Sequence, residues 1–273
     1  CFMDKNKLDL VIKQVKRNII EMIYEANSGH PGGSLSCSEI LTYLYYEKMN
    51  VSPEKSKDDY RDRFVLSKGH AAPALYSVLA EKSYFNKEQL MSLRKIGGLL
   101  QGHPDSKHIN GIDVSTGSLG QGISNAVGMA LGLRMLKRES KVYVLLGDGE
   151  LQEGLVWEAA MSAGHYRLNN LIAIIDNNGL QIDGKNEEVM NINPIDKKFE
   201  SFGWNVILCD DGNDFESIHK AFSEAEKCID KPNVIIAKTI KGKGVSFMEN
   251  KAEWHGAAPN EEEKNKALEE ILA

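Results

Sequence analysis

Five short aliphatic runs, Phe64–Leu66, Val142–Leu146, Leu171–Ile175, Val206–Leu208 and Val234–Ala237, constrain this chain more than any other feature. None alternates apolar with polar residues, which is how strands buried on both faces read. Helical stretches lie between them at Ala71–Glu81, Gly120–Leu136, Val156–Tyr166 and Phe215–Cys228. Leu8, Val11, Ile12, Val15, Ile19, Met22 and Ile23 recur at helical spacing and mark an opening amphipathic helix. Strands alternating with helices predict an α/β fold: a single domain over residues 1–273, with a mostly parallel sheet covered by helices on both faces. In such sheets ligands sit beyond the carboxyl ends of the strands, so chemical residues are expected just after each run. Glu261–Ala273 reads as a charged surface helix or arm, and Cys1-Phe2 ahead of Met3 as an expression remnant.

Composition excludes several classes. A net charge of −6 is the wrong sign for a non-specific nucleic-acid binder. No apolar run approaches the ~20 residues a membrane span needs, and Met3-Asp4-Lys5-Asn6-Lys7 is no secretory signal. Cys37, Cys209 and Cys228 are widely spaced and form no C-x-x-C pair, which predicts free buried thiols and a cytoplasmic setting.

The expected strand ends carry the sharpest motifs. Gly147-Asp148-Gly149-Glu150 follows Val142–Leu146, and Asp176-Asn177-Asn178-Gly179-Leu180 follows the next run. Either piece alone is ordinary turn chemistry. Together at neighbouring strand tips they offer a carboxylate, an amide oxygen and a backbone carbonyl, hard donors suited to Mg²⁺ shared with phosphate oxygens. Four histidines stand beside glycine or proline in loops: His30, His70, His103 and His255. Fixed in rigid turns, they can donate hydrogen bonds or exchange protons near neutral pH. His108, His165 and His219 are assigned to surface or packing. Thr116-Gly117-Ser118-Leu119-Gly120-Gln121-Gly122 opens a helix, but its spacing departs from the dinucleotide fingerprint.

These segments, in this order along the whole chain, resemble the N-terminal, diphosphate-binding domain of transketolases. Ser28 to Gly33, Ser67 to Ala71, Gly102-His103-Pro104, Thr116 to Gly122, Gly147 to Glu153 and His255-Gly256 carry the likeness. Ser118 stands where many members have proline. The resemblance implies thiamine diphosphate and Mg²⁺ as cofactors, with the metal held by Asp148, Asn178 and the Leu180 carbonyl. It implies that Gly149, His70 and His255 contact the diphosphate and that Gly117, Ser118 and Leu119 lie along the pyrimidine. It puts His30, His103 and His255 around the sugar and Glu153 at a partner chain. The implied reaction moves a two-carbon ketol unit from a ketose phosphate to an aldose phosphate.

In that family the activating glutamate and the sugar-phosphate arginines belong to a later, pyrimidine-binding domain. None of the chain's seven arginines is next to a loop histidine in sequence. A split enzyme is therefore expected, with a separate C-terminal subunit, and with self-association across a two-fold axis to give a heterotetramer. The alternatives are an excised piece of a single-chain enzyme and a non-catalytic homologue. Deoxyxylulose-phosphate synthase and the α chain of 2-oxo-acid dehydrogenases share the cofactor, but not these histidine loops.

Overall fold

Helix α1 (Lys5–Ala26) opens the computed structural model, which describes residues 5–273; the Cys1-Phe2 pair lies outside them. Its stripe of Leu8, Ile12, Val15, Ile19 and Ile23 is buried as the spacing predicts. Two short helices follow, α2 (Pro31–Ser36) and α3 (Ser38–Tyr43), both wholly buried. They have no amphipathic stripe because no face meets water, so periodicity does not reveal them. Then come β1 (Arg63–Leu66), α4 (Ala72–Glu81), α5 (Gln121–Met135), β2 (Val142–Gly147), α6 (Gly154–His165) and β3 (Leu171–Asn177). A small hairpin of β4 (Leu180–Gln181) and β5 (Gly184–Lys185) leads into α7 (Asn186–Val189) and α8 (Ile195–Ser201). The chain ends with β6 (Asn205–Cys209), α9 (Phe215–Lys227), β7 (Asn233–Lys238) and α10 (Glu261–Leu272). All five expected runs are strands, with boundaries moved by one or two residues.

The main sheet runs β1-β2-β3-β7-β6, and every pairing is parallel. Side chains alternate between two cores. Leu145, Ile174 and Ile235 join α1, α3, α4 and α9 on one face, while Val144, Ile175 and Val234 join α5, α6 and α8 on the other. The chain skips one position to place β6 at the edge, then returns to fill the gap with β7. Because parallel crossovers are right-handed, that reversal must put α9 on the face opposite α6 and α8. It does.

Cys37 and Cys209 are buried free thiols, but Cys228 is only partly buried, because it follows α9 near the exposed turn of Ile229 and Asp230. Among the described residues no helix is long and apolar enough to cross a membrane.

Candidate functional site

β2 and β3 are parallel neighbours in the register Gly147 to Asp176, so the residues just past their tips emerge side by side. Asp148 is 2% exposed. Its carboxylate accepts from the Gly149 N–H at 2.7 Å and the Gly179 N–H at 2.5 Å. Asn178 Oδ1 accepts from the Leu180 N–H at 3.0 Å, while its Nδ2 donates to Ser36 Oγ at 3.1 Å. Burial pushes the Asp148 carboxyl up to about 6, and the charge of Asp176 adds to this; nearby N–H donors work the other way.

Asp176 anchors this tip from beneath. It is fully buried and receives Ser36 Oγ at 2.7 Å, the Thr239 hydroxyl and the Lys68 ammonium. Burial opposes the Lys68 charge, but Asp176 outweighs it and the lysine pKa is raised. Glu150 is a second organiser. It accepts from the Ser67 hydroxyl, the Gly120 N–H at 2.9 Å and the Gly147 N–H at 3.0 Å, so one carboxylate ties three loops together.

The loop histidines converge although they come from distant parts of the chain. Ring centroids of His30 and His70 are 5.3 Å apart, those of His30 and His255 5.4 Å, and those of His70 and His255 5.2 Å. His103 stands beside them against Gly117, where a Cβ would lie 3.2 Å from its ring. His108, His165 and His219 lie elsewhere, against Asp105, Tyr166 and Tyr43. Burial depresses His30 to about 4 and His255 to about 3, helped by neighbouring cations, so both rings are neutral at pH 7. His30 Nδ1 is buried without a hydrogen-bond partner among the described residues.

These groups line a cleft of about 460 Å³ shared by His30, His70, Asp148, Gly149, Asn178 and His255. Gly117 and Leu119 form its opposite wall, Ser118 is exposed beside them, and Glu153 sits at the mouth. Gly120 takes φ +82° to start α5, and a Cβ there would come within 2.8 Å of Glu153 Cβ, so only glycine suits this close turn.

Three cations here escape a reading by motif. Lys241 is 1% exposed, and among the described residues it forms no ion pair. Its ammonium contacts His255 Nδ1 at 2.9 Å and the Leu180 carbonyl at 3.5 Å. Burial, then the charge of Lys68, lowers Lys241 to about 8. Its placement just past β7, flanked by Gly242, is the strand-end signal that also marks Asp148. Lys68 lies within the Ser67–Ala71 segment but carries no histidine or glycine signal of its own. Arg94 corrects the expectation drawn from its place in sequence: folding brings it against Gly102, where a Cβ would lie 3.0 Å from its Nε, and onto Ser28 Oγ at 3.0 Å. Its charge reaches both His30 and His103.

The arrangement fits a metal–diphosphate. Mg²⁺ prefers oxygen ligands and keeps part of its shell for phosphate and water. Asp148, Asn178 and the Leu180 carbonyl supply such oxygens on one side of the cleft. A buried, unpaired ammonium is expensive without an anion, and a diphosphate would complement Lys241. Among the described residues no cluster of three or more His, Cys, Asp or Glu is built to hold a metal, so a zinc-like cage is not what this cleft offers.

Comparison with known proteins agrees. The family of the transketolase thiamine diphosphate binding domain matches residues 8–271. One of the two chains of an apulose-4-phosphate transketolase from Phocaeicola vulgatus is 43% identical over 269 residues, covering 98% of this chain and 95% of that protein. A 6-deoxy-6-sulfo-D-fructose transketolase subunit from a Clostridium species is 43% identical over 271 residues, covering 98% of each. The crystal structure of Campylobacter jejuni transketolase superposes with a TM-score of 0.93 at 36% identity; it covers 99% of this chain, which spans 43% of that longer chain. This chain belongs to the transketolase family.

Proposed function

We propose that the chain is the cofactor-anchoring subunit of a two-chain transketolase, passing a two-carbon ketol unit from a ketose phosphate to an aldose phosphate. The observation that carries this reading is the pairing of Asp148 and Asn178 oxygen donors with the buried, unpaired Lys241 ammonium in one cleft. Asp148, Asn178 and the Leu180 carbonyl would hold Mg²⁺. Gly149, His70, His255 and Lys241 would meet the diphosphate, and Gly117, Ser118 and Leu119 the pyrimidine. When bound, thiamine diphosphate supplies the electron sink for breaking and making the carbon–carbon bond.

The chain's own residues orient and desolvate. Neutral His30, His103 and His255 can each accept a proton on one ring nitrogen and donate from the other, which suits the adjacent hydroxyls of a sugar. Arg94 adds positive potential beside His30 and His103, and among the described residues it closes no ion pair of its own. Glu153, at the mouth, is placed to meet a partner chain. Relatives named as subunits support a separate second subunit, which would bring the group that activates the pyrimidine. Two copies of each chain around a two-fold would complete the assembly, a common closed symmetry. A cytoplasmic enzyme of sugar-phosphate interconversion follows from this reading.

The test mixes the purified chain with thiamine diphosphate, Mg²⁺, xylulose 5-phosphate and ribose 5-phosphate, with and without the second subunit. Sedoheptulose phosphate should form only when both chains are present. Turnover by the chain alone would refute the split-enzyme reading, and silence from the pair would refute the activity.

A further inference from the structure

Asn186 stands directly behind the proposed metal motif and plays no part in the roles given above. It is 3% exposed, yet neither its amide nitrogen nor its amide oxygen completes a hydrogen bond of normal geometry among the described residues. Its backbone is firmly held: the N–H donates to the Gly179 carbonyl at 3.0 Å, and its carbonyl accepts from the Met190 N–H at 3.0 Å. Gly179 in turn donates to Asp148 at 2.5 Å. The amide therefore cannot drift away to find water. It is directed at the metal motif. A Cβ on Gly149 would lie 3.5 Å from Asn186 Oδ1, and the amide is close enough to Asp148 to lower that carboxyl's pKa.

A buried amide lacking formed hydrogen bonds is unfavourable, and an apolar side chain of the same shape would fill this place without that penalty. Packing alone gives no reason for asparagine here; a bound ligand does. We propose that Asn186 is a positioning residue for the metal–diphosphate, an inference that rests on the cofactor reading above. Its Nδ2–H donors fix the orientation of the Asp148 carboxylate as a ligand, and its Oδ1 accepts from a water retained by Mg²⁺. Both assignments use ordinary properties: Mg²⁺ keeps several waters, and a ligating carboxylate is itself hydrogen-bonded from outside. Because Asn186 also starts α7, the same contact couples metal binding to the hairpin–helix segment Leu180–Val189.

The test compares the full chain with Asn186→Leu, Asn186→Ser and Asp148→Ala. Thermal unfolding is read without cofactor, and thiamine diphosphate binding is read by calorimetry across a Mg²⁺ series. Asn186→Leu removes the unsatisfied groups at similar volume, so its metal-free melting temperature should match or exceed that of the parent. Its half-saturating Mg²⁺ should nevertheless rise at least about tenfold, as outer-shell changes typically do. Asn186→Ser should shift the Mg²⁺ dependence in the same direction and covers the case in which the leucine variant fails to fold. A lower melting temperature with unchanged Mg²⁺ dependence, or no change in either, would show a packing residue and overturn the inference alone. Absence of Mg²⁺-dependent binding in the parent, or its persistence in Asp148→Ala, would overturn the cofactor reading and the inference with it.

Discussion

The charge state of single side chains decides what this cleft can do before any ligand arrives. His30 and His255 are depressed to about 4 and about 3 by burial first, then by Arg94 for the one and Lys241 for the other; His70 is depressed well below the ordinary value for the same leading reason. Between those values and the ordinary histidine value near 6.5, the unfolded chain takes up protons that the folded chain refuses. Stability from these rings is therefore complete above about 6.5 and declines as pH falls toward 4. Asp148 has the opposite sign: raised to about 6, it favours the fold at low pH, and that contribution is lost as pH rises through 6. Replacing His30 and His255 together by Gln should thus flatten the fall in melting temperature between pH 6.5 and 4 relative to the parent. Scanning calorimetry on both proteins across that range checks it, and parallel curves would refute the assignment of neutral rings. The histidines are legible in sequence because glycine and proline mark their turns. Lys241 is not, because its meaning lies in an absence of ion pairs, which only the folded chain reveals.

Elements transmit this geometry. The turn Gly117–Leu119 is placed by α5, and α5 approaches β1 so closely that a Cβ on Gly122 would lie 2.6 Å from Ser67 Cα. That approach lets the Ser67 hydroxyl and the Gly120 N–H share Glu150. Gly122→Ala should force the helix outward, costing about 1–3 kcal/mol as overpacking does. At this chain length that is a loss of roughly 2–4 °C in melting temperature per kcal/mol. Affinity for thiamine diphosphate should fall as well, although the residue is not among those assigned to the cofactor. Unfolding scans and calorimetry together test this, and unchanged values in both would show that the close approach is incidental. Sequence patterning reveals the frame well: each short aliphatic run is a strand, because parallel strands covered on both faces need apolar residues throughout. It does not reveal α2, α3 or the Leu180–Val189 segment. Pro31-Gly32-Gly33-Ser34 lacks helical periodicity, and it folds because tertiary burial surrounds it on every side. Asn186 is likewise silent, since nothing local distinguishes a solvated asparagine from one trapped behind a metal motif.

For the whole molecule, the mouth of the cleft poses the remaining physical problem. Ile182 is 66% exposed, Val189 44% and Met190 62%, and all three sit on the segment that borders the cofactor motif. Solvated apolar groups gathered at the rim of a site mark a contact surface rather than a finished surface. Gln152 Nε2 donates to the Met190 carbonyl at 2.8 Å, so this rim is held in place from the same loop that carries Glu153. A second subunit closing over the cleft would bury these side chains, exclude water from the reacting groups and bring its own acid near Glu153. Met190→Asp tests this without touching a residue assigned to cofactor or sugar. As an exposed substitution it should change stability by no more than about 0.5 kcal/mol. A buried anchor is typically worth about 2 kcal/mol or more at an interface, so affinity for the second subunit should fall by roughly 30-fold. Analytical ultracentrifugation of the mixed subunits measures this directly, alongside thiamine diphosphate binding by the isolated variant, which should match the parent. Undiminished assembly would place the interface elsewhere. A loss of cofactor binding without loss of assembly would instead make Met190 part of the cleft rather than of the contact surface.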